Sequence, residues 1–542
     1  MTSLPWPVKA ADETLVAALA AEAGVSQLVA RLLTLRGVRN STEANHWLQP
    51  AVGHLHSPRL LPDFEPAARR ILSAISRREP ILVWGHDDLD GVTATAVLCR
   101  LLASLRADVR YHIPSRVRER HGLDIAGVER KLPGSSGLVL TVDCGITNIR
   151  AVAAMRQRGL DVVITDHHEV LDELPGAVAN VDPKRPDSHY PYRGLAGVGV
   201  ALKFGMGLAE QAIGVSPEEF LSVQPELMAL AVLGTLADRV PLTGENRTLV
   251  AVGLRSLKET RLPAVRAVLD SVGGGEELTA AKFVIELLPL FASADGCEGV
   301  VRFLSDDTDA AYSWVEDLKV KSRKWREEAE RTLALAERLV QVGDGILFVR
   351  SRELSLRALG YTAARLKERY QLPAIVMGWR GDTWVGECRS MDGANLIELF
   401  KAQSRYLEDY GGHQKAAGFS IRDDRVEEFV RQAEQYAHER FAGRTVQDSG
   451  PQADAVLPLA QLTKDPIRLA PFGEGNPEPV FISEPVRVVR SEVRWTVTSR
   501  PDLALVAPRR ELPLPAEAAV VLLYSMDDFG RLTVLDARLA PN

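Results

Sequence analysis

Cysteine is scarce in this chain of 542 residues: there are four, Cys99, Cys144, Cys297 and Cys388, all far apart. That spacing leaves no disulfide framework and no Cys-x-x-Cys zinc site, and it fits a reducing cytoplasm. No run of about eighteen apolar residues occurs, so no membrane span is expected. The N-terminus, Met1-Thr2-Ser3-Leu4-Pro5-Trp6-Pro7, lacks the basic flank and apolar stretch of a signal peptide. Positive charge is not in excess either. Lys and Arg number 65 against 72 Asp and Glu, a net charge of −7, which excludes a generally basic coat for nucleic acid but leaves room for a local basic groove. The apolar fraction of 46% is ordinary for globular chains, and the length suggests roughly three or four domains.

What the chain does have is a set of acids and imidazoles placed after apolar runs. Ile81-Leu82-Val83-Trp84 leads into Gly85-His86-Asp87-Asp88-Leu89-Asp90-Gly91, and Val162-Val163-Ile164-Thr165 into Asp166-His167-His168. Leu138-Val139-Leu140-Thr141-Val142 ends in Asp143-Cys144-Gly145, and Leu230 to Leu236 ends in Ala237-Asp238. β-Branched runs of this kind suit buried parallel strands, whose carboxyl edge is where open α/β sheets bind ligands. Singly, an Asp-x-Asp-Gly after a strand serves as a turn or helix cap more often than as a ligand. Together, Asp88, Asp90, Asp143 and Asp238 would repel one another at one strand-end rim unless cations lay between them. Oxygen donors with one imidazole, His167, favour Mn²⁺ or Mg²⁺ over zinc, and two such ions beside a phosphate ester make a hydrolytic site.

Along the chain, residues 1–80 look helical, and strand and helix patterns alternate from Ile81 to about Leu236, the signature of a doubly wound parallel sheet. Gly91 to Leu102 reads as the helix after the first strand, its N-terminus offering N–H groups to phosphate. A charged amphipathic helix spans Asp306 to Val342 and separates a second α/β pattern, Gly345 to about Phe441. In that second pattern Gly411 to Phe419 is a glycine-rich turn around His413, able to bring backbone close to a phosphate or base. After the linker Gln447-Asp448-Ser449-Gly450-Pro451, short β-like runs with many prolines suggest a small barrel, with an oligonucleotide-binding barrel as one candidate.

These segments, in this order, resemble a known family. Tyr111-His112-Ile113-Pro114-Ser115-Arg116, Thr141 to Gly145, Thr165 to His168, Asp182-Pro183-Lys184-Arg185, Leu195 to Val200 and Gly234 to Asp238 resemble the RecJ single-stranded-DNA-specific exonucleases of the DHH phosphoesterase superfamily. Gly360 to Leu366, Arg389-Ser390 and Gly411 to Phe419 look like that superfamily's associated second domain, and Ala470 to Pro477 like the opening of the family's barrel. The resemblance implies an N-terminal helical extension (1–80), a DHH catalytic domain (81–305), a connecting helix (306–342), a DHHA1-like domain (343–445) and an OB-like barrel (450–542). It implies Asp88, Asp90, Asp143, His167 and Asp238 as ligands of two Mn²⁺ or Mg²⁺ ions, Asp143 as the bridge, and His168 as the histidine that meets the scissile phosphate. Arg116, Arg389, Ser390, Gly412 and His413 are the implied nucleic-acid contacts. Single-stranded DNA, degraded from the 5′ end to mononucleotides in recombination and repair, is the implied substrate. A single-strand-binding protein or helicase is a candidate partner of a monomeric, cytoplasmic chain.

The pattern departs from the family in three places. His86 and Asp87 stand where bacterial members usually have Asp and Tyr, which makes His86 a candidate extra ligand. Pro289 to Gly296 occupies the place of a segment bearing two arginines, here Leu290 and Gly296, so the barrel is expected to carry more of the strand binding. The chain stops soon after the barrel, so a further partner-binding domain is expected to be absent. Two other readings stand beside the exonuclease: a catalytically weak DNA-binding or replication scaffold, and a phosphodiesterase for short oligonucleotides or cyclic dinucleotides. The acid cluster argues against the first and the barrel against the second.

Overall fold

The structure, a computed structural model, describes residues 5–540 apart from 116–118, 120–121, 134–135, 172, 275–277, 442–449, 491–493, 508–511 and 513–518. Ile81–Trp84 (β1), Val109–His112 (β2), Leu138–Val142 (β3), Asp161–Thr165 (β4) and Ala179–Val181 (β5) make one parallel sheet in the order β2-β1-β3-β4-β5. β1 and β3 are buried at every position, because helices cover both faces. Val83, Leu140, Val142 and Val163 face one core with helices Leu89–Ser104 and Gly197–Ile213. Leu82, Trp84, Val139, Val162 and Ile164 face the other, with Val128, Val152 and Met155.

The expected alternation of strand and helix ends at β5. Helices Gly197–Ile213, Pro217–Val223, Pro225–Ala237 and Gly244–Glu259 follow, and the apolar run Leu230 to Leu236 lies inside the third of these, not in a strand. A run that is apolar at every position carries no period, so strand and buried helix look alike. Every residue from Leu227 to Leu236 is buried. Among the described residues no single helix is long and apolar enough to cross a membrane.

The charged helix Thr308–Leu339 leads to a mixed sheet of Gln341–Val342 (β6), Leu347–Ser351 (β7), Ala374–Trp379 (β8), Trp384–Arg389 (β9), Leu407–His413 (β10) and Ala416–Ile421 (β11), ordered β10-β11-β9-β8-β7-β6. The glycine-rich segment read from sequence as a turn is therefore mostly two antiparallel strands. Gly411 pairs with Gly418 and His413 with Ala416 across a tight Gln414-Lys415 turn.

Ala455–Val456 (β12) and Val480–Ile482 (β13) precede Val486–Arg490 (β14), Arg494–Val497 (β15), Arg500–Val506 (β16), Ala519–Met526 (β17) and Leu532–Leu539 (β18). β14 pairs with β15, β15 with β16, β16 in parallel with β18, β18 with β17 and β17 again with β14, which closes a five-stranded barrel. The helices of 1–80 serve two cores. Val16, Leu19, Val29, Leu32 and Leu33 pack into the barrel's core with Leu459, Phe472 and Tyr524, whereas helix Phe64–Ser76 packs on the first, five-stranded sheet.

Candidate metal centre and nucleic-acid cleft

The carboxyl edge of the first sheet opens into a cleft of about 2000 Å³ lined from both α/β domains, by His86, Asp88, Asp143 and His168 on one side and Arg389, His413 and Lys415 on the other. Asp143 follows β3 directly, its N–H still bonded to Thr165 O of β4 (3.0 Å), and it adopts the left-handed region (φ +58°), which Asp tolerates better than most residues. Asp166, His167 and His168 follow β4. Asp238 comes from the C-terminal end of helix Pro225–Ala237, so three strand ends and one helix end, rather than four strand ends, supply the acids.

Asp143 sits at the centre. Among the described residues, donor atoms of His86, Asp88 and Asp143, of Asp90, Asp143 and His167, and of Asp143, Asp166 and His168 lie within 4.8 Å of one another. Asp143 belongs to each of these three, as a bridging ligand would; a fourth set, His167, His168 and His413, lacks it. Asp90 Oδ2 and Oδ1 accept from Gly197 N (2.7 Å) and Val198 N (2.9 Å) at the start of helix Gly197–Ile213. Two glycines make room for these carboxylates: a Cβ on Gly197 would lie 2.5 Å from Asp143 Oδ1, and one on Gly234 would lie 2.7 Å from Asp90 Oδ1.

The histidine tautomers follow from their partners. His167 Nδ1 lies 3.0 Å from Leu195 O; a carbonyl only accepts, so Nδ1 carries the proton and Nε2 presents a lone pair. That Nε2 is 3.0 Å from Asp143 Oδ1 and 4.0 Å from Asp90 Oδ2, while Asp238 Oδ2 is 3.7 Å from Nδ1. His168 Nδ1 donates to Asp166 Oδ1 (2.7 Å), whose carboxylate also accepts from His167 N and Ile146 N. His86 Nδ1 lies 2.8 Å from Asp88 Oδ2 and 3.7 Å from Asp143 Oδ2. Asp88 Oδ1 caps Gly91 N, so a protein carboxylate takes the helix terminus expected to receive phosphate.

Burial, then the neighbouring Asp88, pushes Asp90 up to about 7. Burial and the surrounding carboxylates push Asp143 and Asp238 up as well. Burial, then His168, holds His167 down and neutral. Asp166 goes the other way: against its burial, His168 and the backbone N–H of Ile146 hold it below the usual carboxylate range. Asp143 Oδ1 and Asp238 Oδ2 are buried without a hydrogen-bond partner. Orphaned carboxylate oxygens, raised acids and an imidazole lone pair at one point fit hard divalent cations. Cys144 is not in the donor set, since its Sγ turns to Trp84 O.

On the far wall, the His413 ring stacks on His168 (centroids 4.8 Å apart, planes at 5°), and its Nδ1 lies 3.1 Å from Lys184 Nζ. An ammonium only donates, so His413 holds its proton on Nε2. The Arg389 guanidinium is half-buried beside Glu387 Oε2 (3.3 Å) and Cys388 O. Ser390 lines the cleft between Arg389 and Met391, but it is buried, with its hydroxyl donating to Ala394 O. Gly412 belongs to β10. Arg116 lies outside the described residues. Leu290 is packed in the catalytic core, and a Cβ on Gly296 would come within 2.5 Å of Ile113 Cγ2, so neither place has room for a cleft arginine. Asp166 and Lys184 carry no role in the sequence reading; an acid next to two histidines, and a lysine just past β5 on the same sheet edge, are the signals that point to them.

A parallel-sheet domain with acids and paired histidines at its carboxyl edge, facing a second α/β domain across a cleft, defines a DHH-type phosphoesterase. Residues 80–235 match the DHH family, N-terminal domain, and residues 343–439 the DHHA1 domain. The chain is 31% identical over 485 residues to the single-stranded-DNA-specific exonuclease RecJ of Escherichia coli, covering 84% of this chain and 82% of that one. It is 30% identical over 499 residues to RecJ of Bacillus subtilis, covering 89% of this chain but 62% of that relative's length. The crystal structure of RecJ in complex with Mn²⁺ from Thermus thermophilus superposes with a TM-score of 0.79 at 26% identity, over 99% of this chain and 80% of that one. The chain belongs to the RecJ family.

Proposed function

We propose that the chain is a metal-dependent exonuclease that hydrolyses phosphodiester bonds of single-stranded DNA from the 5′ end, releasing mononucleotides in recombination and repair. The observation that carries this is the convergence of Asp88, Asp90, Asp143, Asp238 and His167 on one edge of a cleft closed by the His413 hairpin. Asp88, Asp90, Asp143, His167 and Asp238 would hold two Mn²⁺ or Mg²⁺ ions, with His86 beside them, and the relative from Thermus thermophilus carries Mn²⁺. Such ions supply an activated water near neutral pH and offset charge on the phosphate.

This chain's own residues orient that chemistry. Leu195 O fixes the His167 ring, and Asp166, by accepting from its Nδ1, fixes the His168 ring toward the place the scissile phosphate would take. His413 Nε2–H, set by Lys184, adds a neutral donor from the other domain. Arg389 is the described arginine on that wall among the proposed DNA contacts, and the barrel would grip the strand further along by stacking and phosphate contacts. The barrel favours a long strand over a cyclic dinucleotide. Four free cysteines support a reducing cytoplasm as the working compartment.

The test is digestion of a single strand labelled at one end and then at the other, with Mn²⁺ and then with EDTA. Immediate release of labelled mononucleotide from the 5′ label alone, abolished by EDTA, is expected. A strand left intact by protein that binds Mn²⁺ would favour a scaffold.

A further inference from the structure

Glu245-Asn246-Arg247, at the start of helix Gly244–Glu259, are three consecutive residues that are all buried, although none belongs to the acid cluster. The Asn246 carboxamide spends both of its N–H bonds on backbone carbonyls, Gly194 O (2.5 Å) and Pro241 O (3.1 Å). The first carbonyl is one residue before Leu195, whose own carbonyl orients His167. The second is three residues after Asp238. One side chain thus ties together the two loops that aim His167 and Asp238.

The other side of the 238–242 loop is closed by the barrel's opening turn. Leu242 N donates to Glu474 O (2.7 Å). Gly475, in the left-handed region (φ +67°), sits so close that a Cβ would come within 2.7 Å of Pro241 Cβ, and a Cβ on Gly473 would lie 2.8 Å from Leu242 Cδ1. The turn is itself pinned. Asn476 Nδ2 donates to Leu469 O and Pro471 O, and Arg247, next to Asn246, donates to Leu469 O and Ala470 O (both 2.7 Å) and to Trp47 O of the N-terminal helices (3.0 Å).

We propose that Asn246, backed by the turn Gly473 to Asn476, is a positioning residue of the metal centre, through which the barrel holds Asp238 and His167 in register. The inference rests on the metal site proposed above. A carboxylate with an unpartnered buried oxygen, such as Asp238, is free to drift unless its loop is fixed. Groups that orient ligands in this way typically change metal affinity about 10–100-fold when removed.

The experiment is a Mn²⁺ titration of the full chain, read by the electron paramagnetic resonance of free Mn²⁺, for the parent, Asn246→Ala and Gly475→Ala, with melting curves in EDTA. Parent protein that binds no Mn²⁺ would overturn the metal site, and this inference with it. With the parent binding, Asn246→Ala should weaken Mn²⁺ about tenfold or more and lower kcat at limiting metal, with KM for the strand unchanged. Folded Asn246→Ala that binds Mn²⁺ like the parent overturns the positioning role. If Asn246→Ala does not fold, Gly475→Ala decides, because it presses on Pro241 from the barrel side without removing a bond from the catalytic domain. Weakened Mn²⁺ binding there supports the clamp, and unchanged binding overturns it.

Discussion

At the scale of single residues, Asp143 joins function to instability. It sits in a left-handed conformation that costs about 1 kcal/mol or more, and its carboxylate is buried against four others, Asp88, Asp90, Asp166 and Asp238. Such strain persists where a site needs the group. Asp143→Ala should therefore reduce hydrolysis by roughly a hundredfold or more and leave strand binding within about threefold, while the melting temperature in EDTA rises. A parent-like rate in saturating Mn²⁺ would remove Asp143 from the bridge. His86 poses the opposite question, since its Nδ1 is engaged by Asp88. If its ring also faces an ion, His86→Asp trades a borderline nitrogen for a hard oxygen and should shift the ratio of Mn²⁺-supported to Mg²⁺-supported rates toward Mg²⁺. An unchanged ratio would leave His86 as a brace for Asp88.

At the scale of elements, the start of helix Gly197–Ile213 donates two N–H groups to Asp90 and leaves no Cβ in the way of Asp143. Gly197→Ala should raise helix propensity by up to about 1 kcal/mol and yet abolish activity, because its methyl group would overlap the Asp143 carboxylate. Kinetics and melting curves of this one variant separate the two effects, and full activity would mean that the loop moves aside. The elements also show what sequence carries. β1, β3 and β4 were legible because β-branched runs ended in polar residues at the sheet edge. Asp238 was legible as an acid of the site but not as a helix end, because Leu227 to Leu236 are buried on all sides and hold no period. The His413 hairpin read as a turn because glycines at 411, 412 and 418 conceal the alternation of β10 and β11. Asn246 was invisible altogether. Its work is done on carbonyls 52 and 5 residues away, and hydrogen bonds to backbone leave no mark in side-chain type.

At the scale of the whole molecule, the barrel does more than the strand binding proposed for it. It shares one hydrophobic core with the N-terminal helices and braces the loop after Asp238, which changes what its removal would do. If the barrel only bound the strand in place of arginines at Leu290 and Gly296, cutting the chain after residue 442 would raise KM for long strands only. With Val29, Leu32 and Leu33 stripped of their partners, truncation should instead also lower turnover on di- and trinucleotides and melt the N-terminal helices, seen as lost helical circular dichroism. Unchanged dinucleotide turnover would return the barrel to a purely binding role. The same interlocking makes metal loading a property of global stability. Asp90 rises to about 7, and Asp143 and Asp238 rise too, from an unfolded value of about 3.9. Between those values the native state holds more protons than the unfolded state. The stability of the metal-free chain therefore falls as pH climbs from about 4 through about 7. Divalent cations replace those protons and bind the ionised carboxylates, so metal should stabilise more where the acids would otherwise be charged. The rise in melting temperature on adding Mn²⁺ in place of EDTA should accordingly be larger at about pH 8 than at about pH 5.5. Asp90→Asn should shrink that difference, because it removes one of the raised acids and leaves a neutral side chain that can still accept from Gly197 N. An equal rise at both pH values would show that the metal-free chain already carries its carboxylates ionised, and that some other group offsets their charge.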